Sequence, residues 1–308
     1  MATLCSELVF RDTCRTLATS VTLVVLSFSV LASEDNLSPD QVSRGAYLVR
    51  AGGCISCHTN TKNSGDELAG GVALKTNFGT FYAPNITPDP KFGLGNWSKN
   101  DFITAMTKGV SPRGLHYYPA FPYTSYSGIT RTDLSDLWAY LQTVVPSKTR
   151  NREHDLPFPL SIRLSAMAWK LLFFRPLTDT TDINKTSEWN RGAYLVTALG
   201  HCAECHTPRT LFGAPKKQYS FSGTRQGPDS EVIPNITPDP KTGIGNWNST
   251  DIIWYLKTGF LPDGDVAGSS MADVIDHSTS HLTDNDLLAV ATYLQSLQPV
   301  YRPKKSKP

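Results

Sequence analysis

The sequence predicts a mainly α fold: two tandem copies of one small helical domain, joined by a helical linker. Three observations carry this. First, the chain repeats itself. The run Arg-Gly-Ala-Tyr-Leu-Val at residues 44–49 returns at 191–196, an offset of 147, and Asn-Ile-Thr-Pro-Asp-Pro-Lys at 85–91 returns at 235–241, an offset of 150; both copies then reach Gly-Asn-Trp, ending at Trp97 and Trp247. Two tandem copies explain a slowly drifting offset better than a single domain does. Second, helix-start signals stand at matching places in both copies. Third, 22 Gly and 21 Pro among 308 residues leave long irregular stretches between modest helices. The length suits two domains of ~150 residues, and either half could bury its own core.

The elements follow in order. Residues 1–33 read as a secretory signal peptide: Arg11 and Arg15, an uncharged apolar run at 17–31, then Val30-Leu31-Ala32 as a small-residue cleavage site. An uncleaved anchor competes with that reading, but the run is shorter than the ~20 residues a helix needs to span a bilayer. Copy one is expected over 36–146. Its first helix opens at Ser38 with Pro39 and a capping-box partner in Gln41, and apolar Val42, Ala46 and Val49 follow at helical spacing. A third helix, over 101–108, stops at Gly109, and the last one starts from a capping box of Thr130 and Asp133, with Leu134, Leu137 and Leu141 on one face.

The linker spans 147–183. There Leu164, Met167, Leu171 and Phe174 mark an amphipathic helix, expected to pack on the two domains or to meet a partner or lipid surface. Copy two, over 184–299, repeats the plan, with a helix over 251–257 ending at Gly259 and a capping box of Thr283 and Asp286. Residues 300–308 form a basic tail with Arg302, Lys304, Lys305 and Lys307. Composition excludes other classes. With 40% hydrophobic and 18% charged residues the chain is neither disordered nor a multi-span membrane protein, and a net charge of +2 gives no case for nucleic acid as a partner.

Once Cys5 and Cys14 leave with the signal peptide, Cys54, Cys57, Cys202 and Cys205 remain. They form Cys54-Ile55-Ser56-Cys57-His58 and Cys202-Ala203-Glu204-Cys205-His206, two C-x-x-C-H motifs, the attachment pattern of c-type haem. Two thiols on one turn reach the two vinyl groups of a haem, and the adjacent imidazole reaches the iron. A redox C-x-x-C or a zinc half-site needs no histidine at the next position. Free thiol pairs in an oxidising compartment would close into disulfides. Two covalently bound haem c groups are therefore expected, with His58 and His206 as axial ligands of iron. Carbonyls near Pro84 and Pro234 are candidates to accept the second ring N–H of each. Asn85, Trp97, Asn235 and Trp247 could hold propionates or simply pack.

On these motifs, both Asn-Ile-Thr-Pro-Asp-Pro loops and the stretch from His116 to Tyr126, the chain resembles the bacterial multihaem cytochromes c that serve membrane-associated alcohol, gluconate and related dehydrogenases as electron-transfer subunits. The likeness covers most of residues 38–298. It implies two class I cytochrome c domains, each with a distal methionine. Many such subunits carry three haem motifs, whereas this chain carries two. The resemblance places the distal ligand of haem 2 at Met271, expected in a loop between the third and last helices. For haem 1, related sequences carry a methionine shortly after a Pro-Tyr-Thr-Ser-Tyr segment, where this chain has Ile129. His116 is then the tentative ligand; a water-bound or open site, and Met106 or Met167, are the alternatives.

The expected function is electron transfer in the periplasm, from a dehydrogenase donor toward a cytochrome or oxidase acceptor, with no catalytic residue of the chain's own and with peripheral membrane association as a further option. A non-methionine haem 1 would lie lower in potential, so electrons would run from haem 1 to haem 2. The rival reading is a haem enzyme that uses an open position on haem 1 for peroxide or sulfur-compound chemistry. A sensor would need an output domain.

Overall fold

The computed structural model describes residues 37–177 and 181–303. The expected signal peptide, Cys5 and Cys14, and Lys304, Lys305 and Lys307 of the tail lie outside them. Copy one consists of α1 (Pro39–Ala51), α2 (Cys54–His58), a hairpin of β1 (Ala73–Thr76) and β2 (Gly79–Tyr82), α3 (Lys99–Lys108), α4 (Tyr123–Tyr126) and α5 (Arg131–Leu141). The linker holds α6 (Leu164–Phe173). Copy two consists of α7 (Ser187–Tyr194), α8 (Ala203–His206), α9 (Ser249–Thr258), α10 (Ser269–His277) and α11 (Asp284–Gln295). The mainly helical class holds. The antiparallel hairpin, which pairs Ala73 with Tyr82 and Thr76 with Gly79, was not expected, and neither was α10.

In each copy the first and last helices cross at the glycine of the repeated Arg-Gly-Ala-Tyr motif. A Cβ on Gly45 would fall 2.0 Å from the Asp136 carbonyl oxygen, and one on Gly192 would fall 1.9 Å from that of Ala289. Only glycine permits this approach, so the repeat preserves a contact rather than a flexible point. Arg44 bonds Asp136 (2.6 Å) and Arg191 forks onto Asp286 (2.8 and 2.7 Å) to fix the crossings laterally.

The drift in offset has a local cause. Between Arg44/Arg191 and Cys54/Cys202 it grows from 147 to 148, and the extra residue in copy two widens the end of α7 into a π-type turn over Leu195–Leu199, as one inserted residue in a helix does. Copy one runs through the same stretch as ordinary α-helix. Between the third and last helices the offset grows to 153 at Thr130/Thr283, and this inserted length accompanies the longer α10 in place of the single turn of α4.

Other expectations are corrected. Ser38 precedes α1 but makes no side-chain cap. Thr130 and Thr283 each cap their helix, but Asp133 and Asp286 do not reach back; they accept from other side chains instead. The complete capping boxes are Ser98 with Asp101 and Asn248 with Asp251, starting α3 and α9. In α6, Leu164, Leu171 and Leu172 are exposed and Ala166 is buried. Leu164 and Leu171 of the stripe face outward, but the helix packs on both copies: Lys170 donates to the carbonyls of Lys108 (2.6 Å) and Gly109 (2.8 Å) and Phe174 meets the Tyr123 ring edge-on (5.1 Å) in copy one, while Trp169 Nε1–H donates to Phe212 O (2.8 Å) in copy two.

The ends of the copies also move. Asn85 donates to Ser147 O (2.8 Å) and Thr149 O (3.1 Å), and Asp155 pairs with Thr80, so residues 147–155 complete copy one. Asn235 donates to Val300 O (2.8 Å), and Arg302 N–H to the Thr242 hydroxyl (3.1 Å), so the tail to Arg302 completes copy two. The Asn85 and Asn235 amides are spent on this backbone work, which assigns them to loop packing. The described residues form one compact unit, and the buried apolar side chains of both copies belong to one continuous core.

Gly45→Ala and Gly192→Ala test the crossing. An ordinary mid-helix Gly→Ala gains roughly 0.5–1 kcal/mol; here each change is expected to lose about 1–3 kcal/mol through overpacking. Chemical denaturation of the purified protein reads the sign.

Candidate haem sites

The two motif turns lie back to back. The backbone before α2 abuts the backbone before α8: a Cβ on Gly52 would stand 3.4 Å from Leu199 Cδ1, one on Gly53 3.7 Å from His201 Nε2, and one on Gly200 3.7 Å from Ala51 O. Buried Tyr126 closes this seam. Its hydroxyl donates to Gly52 O (2.9 Å), and its ring meets the His201 ring edge-on at 5.4 Å.

Each copy then grips the other's motif at the same position. Ser56 Oγ, in the middle of the first motif, donates to Asp273 O on α10 (3.3 Å). Glu204, its counterpart in the second, accepts from the hydroxyls of Thr124 (2.6 Å) and Ser125 (3.0 Å) on α4. Arg209 adds a short ion pair to Glu204. Further out, the Tyr47 hydroxyl donates to Asp286 (2.5 Å) and that of Tyr194 to Asp133 (2.5 Å); Thr283 N–H and Thr130 N–H bond those same tyrosine oxygens. The contacts are reciprocal, as a pseudo-two-fold relation between the copies requires.

Within each motif the histidine is held by one bond. Nδ1 of His58 lies 2.7 Å from Pro84 O, and Nδ1 of His206 lies 2.8 Å from Pro234 O. A carbonyl only accepts, so each Nδ1 carries the proton and each Nε2 keeps its lone pair. Burial lowers the pKa of both histidines against the opposing pull of these bonds, which keeps the imidazoles neutral. That is the form in which imidazole binds a metal, with its second nitrogen oriented by a carbonyl.

The four cysteines are free. Burial pushes the Cys54 and Cys202 thiols up to about 12. The Cys205 thiol rises to about 11, mainly by burial; Arg209 opposes the rise, and Glu204 and Cys57 add to it. Two unpaired thiols on one turn beside a neutral, oriented imidazole fit covalent haem c.

The comparisons with known proteins agree with this geometry. The family model for cytochrome c matches residues 42–144. A dihaem c-type cytochrome of Cereibacter sphaeroides is 45% identical over 261 residues, covering 83% of this chain and 85% of the relative. This chain belongs to the cytochrome c family. It is also 39% identical to the fructose dehydrogenase cytochrome subunit of Gluconobacter japonicus and 37% identical to the gluconate 2-dehydrogenase cytochrome c subunit of Pantoea cypripedii. Those matches cover 94% and 90% of this chain but only 60% and 64% of the relatives, so the chain spans less than two thirds of the dehydrogenase subunits it resembles.

The remaining candidate ligands are placed as follows. Met271 sits in the first turn of α10, not in a loop, and packs against the core. Ile129 is buried just before α5, where its counterpart before α11 is Leu282. Met106 is buried on α3, and Met167 lies partly exposed on α6. His116 pairs with Val110 in a short bridge; its carbonyl accepts from Arg163 (3.5 Å), and its Nδ1 is buried without a partner. The His116 pKa is lowered, first by burial and then by the Lys170 ammonium. Sequence reasoning missed Glu204, Tyr126 and Tyr47. Their roles lie between copies, and the only signal available was the polar Ser56/Glu204 pair at the same position of both motifs.

Burial alone would raise the Asp286 carboxyl, but Arg191 and Tyr47, which donate to it, hold it below the ordinary carboxylate value. Its folded-state pKa is thus depressed. Its stabilisation is complete above the unfolded value of ~4 and is lost as pH falls through the lower folded value. Asp286→Asn is expected to flatten the acid limb of a stability–pH profile below pH ~4.5, as read by denaturant midpoints of wild type and variant.

Proposed function

We propose that this chain is a dihaem c-type cytochrome that carries electrons, one at a time, from a dehydrogenase toward a respiratory cytochrome or oxidase outside the cytoplasm. The observation that carries the reading is the back-to-back pair of C-x-x-C-H turns, each with a neutral imidazole anchored on a proline carbonyl. Haem, when bound, supplies the one-electron couple. Cys54 and Cys57 would hold one group and Cys202 and Cys205 the other, with His58, His206 and, in copy two, Met271 as the side chains that would meet the iron. The back-to-back approach of the two turns, with Gly53 against His201 and Gly200 against Ala51, supports exchange between the two groups across the seam that Tyr126 closes.

The dehydrogenase donor rests on the likeness to the fructose, gluconate and alcohol dehydrogenase cytochrome subunits. Export and periplasmic location rest on residues 1–33, and covalent haem attachment in an oxidising compartment accords with them. Peripheral membrane contact is supported by the exposed apolar face of α6; among the described residues, no helix is long and apolar enough to cross a membrane.

Intact mass of the protein purified from its native envelope tests the reading. The expected mass is the mature chain plus two haem groups, with one group lost in a Cys202→Ala/Cys205→Ala double variant. A mass equal to the bare chain rejects it. Co-purification of a dehydrogenase from the same membranes tests the donor.

A further inference from the structure

A surface helix ordinarily turns its polar face to water, and α6 does the reverse. Its one charged residue, Lys170, is spent inward on the carbonyls of Lys108 and Gly109, and Ala166 is buried beside it. The outward face carries Leu164, Ala168, Leu171 and Leu172, all exposed, with no polar side chain among them before Arg175.

Copy two extends this face. Trp169 Nε1–H donates to Phe212 O, and the Phe173 ring stacks on that of Phe212 at 6.2 Å, which sets the loop over 210–217 beside the second half of α6. Leu211 and Phe212 of that loop are 93% and 71% exposed. Between helix and loop runs an open groove of about 480 Å³, with Leu172, Phe173 and Arg175 on one side and Pro215, Lys216 and Lys217 on the other.

The charge of this region has one sign. Residues 156–178 and 205–228 contain no Asp or Glu. Arg209 is turned back onto Glu204, but Arg175, Lys216 and Lys217 stay exposed, and none of the three has a carboxylate partner among the described residues. Protruding apolar side chains edged by cations match the boundary between acyl chains and phosphate headgroups. A fluid acyl layer accepts such side chains as they stand, whereas a protein partner would need a fitted hollow for each.

We propose that the outward face of α6 and the 210–217 loop together form a seat for an anionic phospholipid surface. Leu164, Leu171, Leu172, Leu211 and Phe212 enter the acyl boundary, while Arg175, Lys216 and Lys217 meet the lipid phosphates. This rests on the peripheral membrane contact proposed above and gives it a place and a lipid class.

The test sediments the purified holoprotein with vesicles of phosphatidylcholine alone and of phosphatidylcholine mixed with phosphatidylglycerol. Binding is expected to the mixed vesicles, to be weak without phosphatidylglycerol, and to fall at high salt. Lys216→Glu/Lys217→Glu is expected to weaken it by about tenfold or more, and Leu171→Ser/Leu211→Ser to abolish it, with the haem spectrum unchanged in both. If the leucine variant loses its native spectrum, the lysine variant decides. Variants that bind as the wild type does overturn the seat while leaving membrane contact at another surface; equal binding to both vesicles overturns its preference for anionic lipid. No binding by the wild type to either vesicle removes the membrane reading with it. Variants that keep the vesicles but lose a dehydrogenase retained by the wild type show that this face docks a protein instead, which also overturns the proposal.

Discussion

The reciprocal closure of each copy on the other's motif turn is the constraint on which the rest of the structure depends. A C-x-x-C-H turn is short, and its two thiols and imidazole are useful only when its backbone is fixed. Here the fixing is external. Ser56 is tied to α10, Glu204 to α4, and Tyr126 seals the backbone between the two turns. The Tyr47–Asp286 and Tyr194–Asp133 bonds extend the same exchange to the starts of the last helices. This explains why Asp133 and Asp286 abandon the local capping box: a bond across the copies replaces a bond along the helix.

Much of this was legible in the sequence, because it depends on local rules. The repeat gave the two copies, the helical periods gave the first and last helices, and the glycines at 109 and 259 gave the ends of the middle ones. The motif cysteines and histidines were identifiable from spacing alone, down to the proline carbonyls that orient the rings. What stayed hidden was non-local. The sequence pattern of α6 could not say which members of its stripe stay exposed, as Leu164 and Leu171 do, and which pack, as Phe174 does on Tyr123. The hairpin at 73–82 lacks a strong alternating pattern and is fixed by pairing with Asp155, far along the chain. Asn85 and Asn235 suggested ligand donors, yet both serve the returning chain.

The two copies are alike in scaffold and unlike in detail, and the differences gather near the motifs. Copy two has the π-type turn before Cys202, His201 in a left-handed conformation where copy one has Gly53, a carboxylate where copy one has a hydroxyl, and the longer α10. Each touches the seam or the distal loop, while the helix crossings at Gly45 and Gly192 are preserved almost atom for atom. Packing geometry has been kept, and the surroundings of the two sites have been free to diverge.

The closure of each motif turn by the other copy is complete only when both halves are present, and this bears on how the duplicated ancestor must have lived. A lone half would leave its motif turn propped by nothing and a flank of the shared interior wet. Its simplest remedy is to pair with a twin, in the same reciprocal embrace now made within one polypeptide. Fusion of such twins would have freed each from remaining self-complementary, the condition under which two copies can diverge around a shared packing geometry.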